Sequence, residues 1–346
     1  MRTFWAVIIT IVLITICGFA HADDSTARVG AGGITFLKST DIRMLQEILK
    51  ISTSNIYVRY RFINESNEDI LTTVAFPLPP YGWNPGLSAG DENNKPLESF
   101  SILIDGQAIK TVKTRRAVLA NKHSIAKNKT AKKIINRDIT EDLKAAGLSE
   151  TQIFKSFGDV FIDSKGLIQN GLNKQQETKL KAIGVLDGNW PKWEVAEMVH
   201  WEQLFPAKKE IEIEHKYKPF VGIRYTSTHK GSPFEYIGKN DEVCLTKKTL
   251  TEINQKAQKL IDKNKSSVTI YLKEVEFILG TGRNWKGPIG DFILSIEKDS
   301  PDQIFSTCFP GKSKIINQTT IEYGQMNYIP QDKLVVYFYT LVPEKY

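Results

Sequence analysis

The chain has 346 residues, of which 41% are hydrophobic and 25% charged, and its formal net charge is +7. These values are ordinary for a globular protein and exclude a wholly disordered chain, a collagen-like repeat and a polytopic membrane protein. The length predicts two domains or one large domain.

The N-terminus has the pattern of a secretory signal peptide. Arg2 precedes an uncharged apolar run over residues 4–20, which ends in Ala20-His21-Ala22. A basic start, an apolar centre and a small-x-small end are typical of such a peptide. An uncleaved anchor is the alternative, although the run is near the lower limit of about 17–25 residues for a membrane span. We predict a signal peptide over residues 1–22, cleavage near Ala22, and a periplasmic or extracellular mature chain.

Two cysteines remain after this cleavage, Cys244 and Cys308. An even pair in an exported chain predicts a disulfide bond, and two buried free thiols are the alternative. A structural zinc ion usually takes four Cys or His ligands, so two cysteines alone do not indicate a zinc site.

Strand patterns dominate the first part of the mature chain. Residues 55–64 alternate apolar and polar side chains and are followed, after a polar turn, by a second apolar run at residues 70–76. This period of two predicts half-buried strands, which we interpret as an antiparallel hairpin. A second hairpin is predicted where Asp105-Gly106 separates residues 101–104 from 107–112, because Asp-Gly favours a tight turn.

The pattern changes in an insert over about residues 106–188, which is basic in its first part and helical in its second. Helices are predicted over residues 140–146, 149–157 and 173–183, with Thr140, Ser149 and Asn173 as N-terminal caps. Gly147 and Gly184 are the predicted stops.

Strands resume after the insert. Residues 193–204 and 210–217 are interpreted as a hairpin, and an amphipathic helix is predicted over residues 246–263. Four further strands are predicted near the C-terminus, at residues 268–278, 289–297, 315–323 and 334–341.

Together these elements predict a mainly β (α+β) protein with two antiparallel β-sandwich-like modules. The N-terminal module would cover residues 23–225 and contain the insert. The C-terminal module would cover residues 226–346 and contain the amphipathic helix.

Four segments also carry a resemblance to a known family. They are Val74-Ala75-Phe76-Pro77-Leu78-Pro79, the run from Val199 to Ala207, the run from Asn284 to Phe292, and Tyr328-Ile329-Pro330. With the signal peptide and Gly32-Gly33, they resemble the bacterial secreted family called domain of unknown function 4424. The resemblance implies export and a bacterial envelope setting. No activity is established for the family, so it implies no catalytic or binding residue.

Several patterns with catalytic potential are each outweighed by an ordinary structural interpretation. The G-x-S-x-G match around Ser88 lacks the strand before it and the helix after it that a hydrolase elbow needs. His200 and His215, on the two arms of one predicted hairpin, could approach each other and bind a metal with Glu202 or Glu214, but strand histidines are more often ordinary hydrogen-bonded residues. We therefore predict no metal site.

Two further patterns have an ordinary structural interpretation as well. A glycosidase needs two carboxylates about 5–10 Å apart, and Glu194, Glu197, Glu202 and Asp291 lie near tryptophans in the sequence, where alternating glutamates usually form a solvated strand face. The glycine-rich run at residues 280–287 lacks Walker spacing, although its Arg283 and Lys286 could meet an anion.

Charge segregation is the sharpest physical feature. From Gly106 to Arg137 the chain contains no Asp or Glu. Such a stretch concentrates anionic partners in a salt-dependent way, and a solvated loop is the alternative. The candidate anion-binding residues are Lys110, Lys113, Arg115, Arg116, Lys122, Lys127, Lys129, Lys132, Lys133 and Arg137.

A second candidate surface is aromatic. Tyr81 and Trp83 lie in a proline-rich stretch, and Trp190 and Trp193 flank Pro191. Flat rings on rigid loops can stack on sugars, and buried packing is the alternative.

The sequence therefore predicts an exported, non-enzymatic binding or structural module without a cofactor. Its partners would be anionic envelope polymers, glycans or a membrane surface, and nucleic acid is not expected in this compartment. The alternative is a secreted hydrolase whose site is assembled from residues distant in sequence.

Overall fold

The computed structural model describes residues 25–30, 33–82, 99–119, 137–154, 161–162, 168–169, 171–188, 190–235 and 243–344. As predicted, the fold is mainly β, with antiparallel sheets and few helices. The predicted signal peptide lies outside the described residues.

The first sheet has seven antiparallel strands. Strand β15 (Trp193–Phe205) lies in its centre, and the short strand β6 (Tyr81–Gly82) also pairs with β15. Across the sheet the strands are, in order, β10 (Arg137–Asp138), β9 (Val112–Leu119), β15, β5 (Ile70–Pro77), β1 (Ser25–Gly30) and β2 (Gly33–Phe36).

The second sheet has eight strands, and it joins the two ends of the chain. Its third and fourth strands are parallel, and all other pairs are antiparallel. In order they are β21 (Ser313–Ile315), β22 (Thr320–Tyr328), β19 (Ile289–Glu297), β3 (Ile42–Ile51), β4 (Ile56–Asn64), β16 (Glu210–Tyr217), β7 (Ser101–Ile104) and β8 (Gln107–Ala108). Strands from both predicted modules thus share one sheet.

The third sheet carries the long helix on one face. Its strands are β17 (Val221–Thr228), β18 (Val268–Ile278), β23 (Lys333–Pro343) and β20 (Ile304–Thr307). The helix, α4 (Lys247–Asn264), confirms the predicted amphipathic helix: Thr246 caps it by accepting a hydrogen bond from the amide of Thr249, and its buried residues are Ile253, Ala257 and Ile261.

Two cores meet along the third sheet. The sandwich core lies between the first and second sheets, and the helix core lies under α4. Strand β18 serves both, because Ile270 and Leu272 face the helix core while Val275 and Phe277 face the sandwich core. Burying each such side chain contributes roughly 1.5–3 kcal/mol.

Two of the three predicted hairpins are wrong. Strands β4 and β5 lie in different sheets, as do β15 and β16, because residues 65–69 and 206–209 carry the chain across the sandwich. Alternation determines which face of a strand is buried, but it does not choose the partner strand. The hairpin of β7 and β8 is confirmed, with Asp105 at φ 47° and Gly106 at φ 78° in its turn.

The insert has its own small core, and its described residues form three short helices, α1 (Thr140–Ala145), α2 (Glu150–Ile153) and α3 (Lys174–Ala182). Two-stranded pairs join β11 (Phe161–Ile162) to β12 (Ile168–Gln169) and β13 (Leu186–Asp187) to β14 (Trp190–Pro191).

The predicted helix caps are confirmed at two of three positions. Ser149 and Asn173 each form a capping box. Thr140 does not cap α1, because its hydroxyl accepts a hydrogen bond from the amide of Ala117 instead. Within the described ranges, no helix combines the length and apolar character needed to cross a membrane.

Candidate functional site

The predicted basic stretch begins before strand β9 and continues along it, at the border between the first sheet and the insert. Lys110, between β8 and β9, and Lys113, on β9, are exposed, and Arg116 is half-buried on the sheet face opposite to Arg115. The lysines of the central part lie outside the described residues: Lys122, Lys127, Lys129, Lys132 and Lys133.

Arg115 is already paired with a buried carboxylate. Its Nε lies 2.8 Å from Oε1 of Glu197, whose side chain is only 3% exposed. The hydroxyl of Tyr81 lies 3.2 Å from the same oxygen and 3.3 Å from the carbonyl oxygen of Phe154 in the insert. A buried carboxylate requires a charged or hydrogen-bonding partner, and Arg115 and Tyr81 supply these partners to Glu197. Because Tyr81 also reaches Phe154, the same contacts link the insert to the sheet. The guanidinium of Arg115 therefore stabilises the fold, and we no longer assign it to an anion-binding surface.

The predicted aromatic surface is wrong at Trp193. This side chain is 1% exposed in the core of the insert, and its Nε1 donates a hydrogen bond to the carbonyl oxygen of Ile153 at 2.9 Å. Tyr81 and Trp190 are half-buried, and the Tyr81 ring is stacked 6.2 Å from that of Phe220. Trp83 lies outside the described residues. The rings that are described here pack against the protein itself.

The last residue of the basic stretch, Arg137, lines an open cavity on the insert. The cavity measures about 500 Å³, and Arg137 shares its wall with Lys179 of helix α3. A guanidinium nitrogen of Arg137 lies 3.1 Å from a carboxylate oxygen of Asp142, and both side chains are about half exposed. The apolar part of the wall consists of Ala145, Ala146, Ala182 and Ile183.

The contribution of Lys179 was missed at the sequence level. Lysines in the last turn of a helix commonly complement the helix dipole, so Lys179 carries no distinguishing signal. Only the fold of the insert brings α3 to the same cavity as Arg137.

The two histidines considered for a metal site are not on one hairpin. His200 lies on β15 in the first sheet, where its Nε2 is 3.2 Å from the hydroxyl of Thr114, and burial lowers the pKa of its imidazole. His215 lies on β16 in the second sheet, in an aromatic cage that includes Phe76 and Phe100. Within the described part of the chain, no group of three His, Cys, Asp or Glu residues is placed to hold a metal ion.

The carboxylates considered for glycosidase chemistry do not converge. Glu197 faces the interior, whereas Glu194 and Glu202 lie on the opposite face of β15. Asp291 lies in the second sheet, where it accepts a hydrogen bond from Gln46 at 2.8 Å. Ser88 of the G-x-S-x-G match lies outside the described residues.

The cations of the glycine-rich run have partners within the chain. Residues 280–284 form a short 3₁₀ helix, from which Arg283 donates to the carbonyl oxygen of Pro330 and to Asp332. Lys286 lies 2.8 Å from a carboxylate oxygen of Glu65. The two cations of this run therefore bind neighbouring loops of the protein itself.

The predicted disulfide between Cys244 and Cys308 is confirmed, with the two Cα atoms 5.1 Å apart. It joins the segment before α4 to the segment after β20. Cys308 is exposed and Cys244 is half-buried.

The comparison with protein-family models supports the resemblance. The chain is similar to the crystal structure of a Legionella pneumophila protein that carries a provisional description as a nutrient binding protein: the identity is 13%, the TM-score is 0.42, and the match covers 92% of this chain and 70% of that one. No curated protein matches the sequence. The family model for Domain of unknown function (DUF4424) matches residues 22–337. The chain therefore belongs to the family of proteins that contain this domain of unknown function.

Proposed function

We propose that this chain is a non-enzymatic, exported binding module whose partner is the phosphate-bearing surface of an anionic lipid membrane. The disulfide supports export, since disulfides persist in oxidising compartments. The N-terminal apolar run and Ala20-His21-Ala22 support it independently. N-terminal sequencing of the protein made in its host tests this part: a mature chain that begins at Asp23 is expected, and an intact Met1 would contradict it.

The observation that carries the proposal is the cavity shared by Arg137 and Lys179. Its volume of about 500 Å³ is within the range of ligand sites, roughly 300–1,000 Å³. Two cations lie beside an apolar wall, of which Ile183 is 45% exposed. An amphiphile with a phosphate and an apolar portion satisfies both parts of this wall.

The charges near the cavity are available to a ligand. The ion pair of Arg137 with Asp142 is exposed on both sides, and such pairs contribute only about 0–1 kcal/mol. A phosphate group can therefore replace the carboxylate at small cost. The five lysines at residues 122–133 immediately precede Arg137 in the sequence and add positive charge without any acidic residue.

Vesicle binding tests the proposal. Wild-type protein is sedimented with vesicles of phosphatidylcholine alone or of phosphatidylcholine mixed with phosphatidylglycerol. We expect binding only to the anionic vesicles, with an affinity that falls as salt is raised, because at 0.1 M salt counterions screen interactions between exposed charges that lie more than about 10 Å apart.

The matched variants locate the site. Arg137→Gln combined with Lys179→Gln removes two cations from the cavity. Lys247→Gln combined with Lys248→Gln removes two exposed cations from the start of α4. The first pair should weaken vesicle binding by about tenfold, equivalent to ~1.4 kcal/mol, and the second should leave it near the wild-type value. Equal loss in both pairs would show that only net charge matters and would reject the cavity as the site.

A further inference from the structure

A second cavity lies where the sandwich core and the helix core separate. Its volume is about 260 Å³. Leu279, Phe309 and Leu334 belong to the sandwich core, whereas Tyr337 belongs to the helix core, and all four line the cavity. The space arises because β23 sends neighbouring side chains to opposite cores.

The disulfide forms one wall of this cavity. Both Cys244 and Cys308 line it, and Cys308 is also exposed to solvent. The covalent link holds the segment before α4 against the segment after β20. A wall held in this way is preorganised, which lowers the entropy cost of binding a ligand.

The rest of the wall indicates the chemistry of a ligand. Phe309 and Tyr328 place their ring centroids 5.5 Å apart, and Tyr337 adds a third ring. Besides the hydroxyls of the two tyrosines, the polar side chains of the lining are Gln331 and Lys333, and Lys333 Nζ lies 2.9 Å from a carboxylate oxygen of Glu276. The Glu276 carboxylate offsets the charge of Lys333, and the other lining residues are neutral, so the wall favours a neutral ligand over an anion.

We propose that this disulfide-walled cavity binds a small neutral aromatic molecule that carries one hydrogen-bonding group. Its volume is below the roughly 300–1,000 Å³ of sites for drug-sized ligands, so a single substituted ring is the appropriate size. Ring edges and faces of Phe309 and Tyr328 would pack around the ligand ring, an arrangement that favours aromatic over saturated molecules. The side-chain amide of Gln331 would meet its polar group. This site shares no lining residue with the lipid site proposed above, so a negative result at one site does not affect the other.

Calorimetric titration with p-cresol tests the proposal, with 4-methylcyclohexanol as its saturated analogue. We expect saturable binding of p-cresol and binding of the analogue that is several-fold weaker. Absence of p-cresol binding would overturn the proposal, and equal binding of both compounds would overturn the aromatic assignment.

Two variants on the same strand locate the site. Val335 is half-buried in the cavity wall, so Val335→Phe would fill the space. Val342 is 43% exposed further along β23, so Val342→Phe adds the same side chain away from the cavity. Val335→Phe should weaken p-cresol binding by at least about tenfold, equivalent to ~1.4 kcal/mol, and Val342→Phe should not. Unchanged affinity in Val335→Phe would overturn the proposal.

The disulfide supplies a readout that requires no variant. A bound ring would shield the sulfur atoms, so p-cresol should slow reduction of the wild-type Cys244–Cys308 bond by a water-soluble phosphine several-fold. Reduction of glutathione disulfide under the same conditions controls for direct effects on the phosphine. An unchanged rate of protein reduction at saturating p-cresol would overturn the proposal even if Val335→Phe fails to fold.

Discussion

Arg115 Nε lies 2.8 Å from Oε1 of Glu197, and this ion pair joins a strand of the basic stretch to a carboxylate that is almost fully buried. Glu197 is flanked on the same strand face by Val195 and Val199, both 0% exposed. A buried carboxylate destabilises the fold when its cation is removed, so we interpret Arg115 as a residue that stabilises the fold.

Loss of Arg115 should therefore destabilise the protein strongly. Arg115→Met leaves Glu197 buried without its cation and should lower the free energy of unfolding by about 3 kcal/mol. Urea denaturation measures this value. Arg59→Met is the matched control: Arg59 Nε lies 3.8 Å from an oxygen of the partly exposed Glu212, and its loss should cost less than about 1 kcal/mol. Equal costs in the two variants would contradict the structural role of Arg115.

Glycine 290 tests the parallel contact between the two ends of the chain. A Cβ atom added at Gly290 would lie 2.5 Å from the backbone oxygen of Leu45, at the bulge of β3. Gly290→Ala should therefore lower the free energy of unfolding by about 1–3 kcal/mol, because the backbone must shift. Gly324→Ala is the control, since a Cβ there has no atom within 4 Å. Similar unfolding midpoints for wild type and Gly290→Ala would mean that β19 and β3 are not paired in this way.

Glu65 gives a prediction for the dependence of stability on pH. Its hydrogen bond from Lys286, with further attraction from Arg43, holds the pKa of the Glu65 carboxyl below its ordinary value. A lowered pKa in the folded state stabilises the protein above the unfolded pKa of about 4.3, and that contribution is lost as pH falls through the folded pKa. Glu65→Gln should therefore be less stable than wild type at neutral pH and approach it near pH 3. If wild type and Glu65→Gln differ in denaturation midpoint by the same amount at neutral pH and near pH 3, this linkage is refuted.

The disulfide should contribute substantially to stability. Cys244 and Cys308 are 64 residues apart in sequence, and the chain-entropy model assigns such a link about 4 kcal/mol. The double variant Cys244→Ser, Cys308→Ser should lose most of this free energy of unfolding. Reduced wild-type protein should have the same free energy of unfolding as the variant. If oxidised wild-type protein is no more stable than these two, the disulfide makes no structural contribution.

Local signals in the sequence were sufficient for local structure. Asp105-Gly106 predicted the turn between β7 and β8, and the amphipathic pattern of residues 246–263 predicted α4 to within one residue at each end. The compartment argument predicted the Cys244–Cys308 pairing. The turn and the helix depend on residues close together in sequence, and the disulfide follows because only two cysteines remain after the predicted cleavage.

Partners distant in sequence could not be predicted in the same way. Alternation on β15 predicts a buried face, but that face contains Glu197, whose burial depends on Arg115 from another strand and on Tyr81. The same limit applies to Lys179 and Arg137, which meet only through the fold of the insert. The start of a strand at Trp193 was predicted, but its ring was also assigned to a surface beside Pro191, and it is 1% exposed because the insert packs over it.

The most direct test of the proposed function is the apparent affinity of the cavity variants for vesicles that contain phosphatidylglycerol. We expect Arg137→Gln with Lys179→Gln to bind about tenfold more weakly than Lys247→Gln with Lys248→Gln at the same ionic strength. Indistinguishable affinities for these two charge-matched proteins, or wild-type binding that is the same with and without phosphatidylglycerol, would contradict the proposed function.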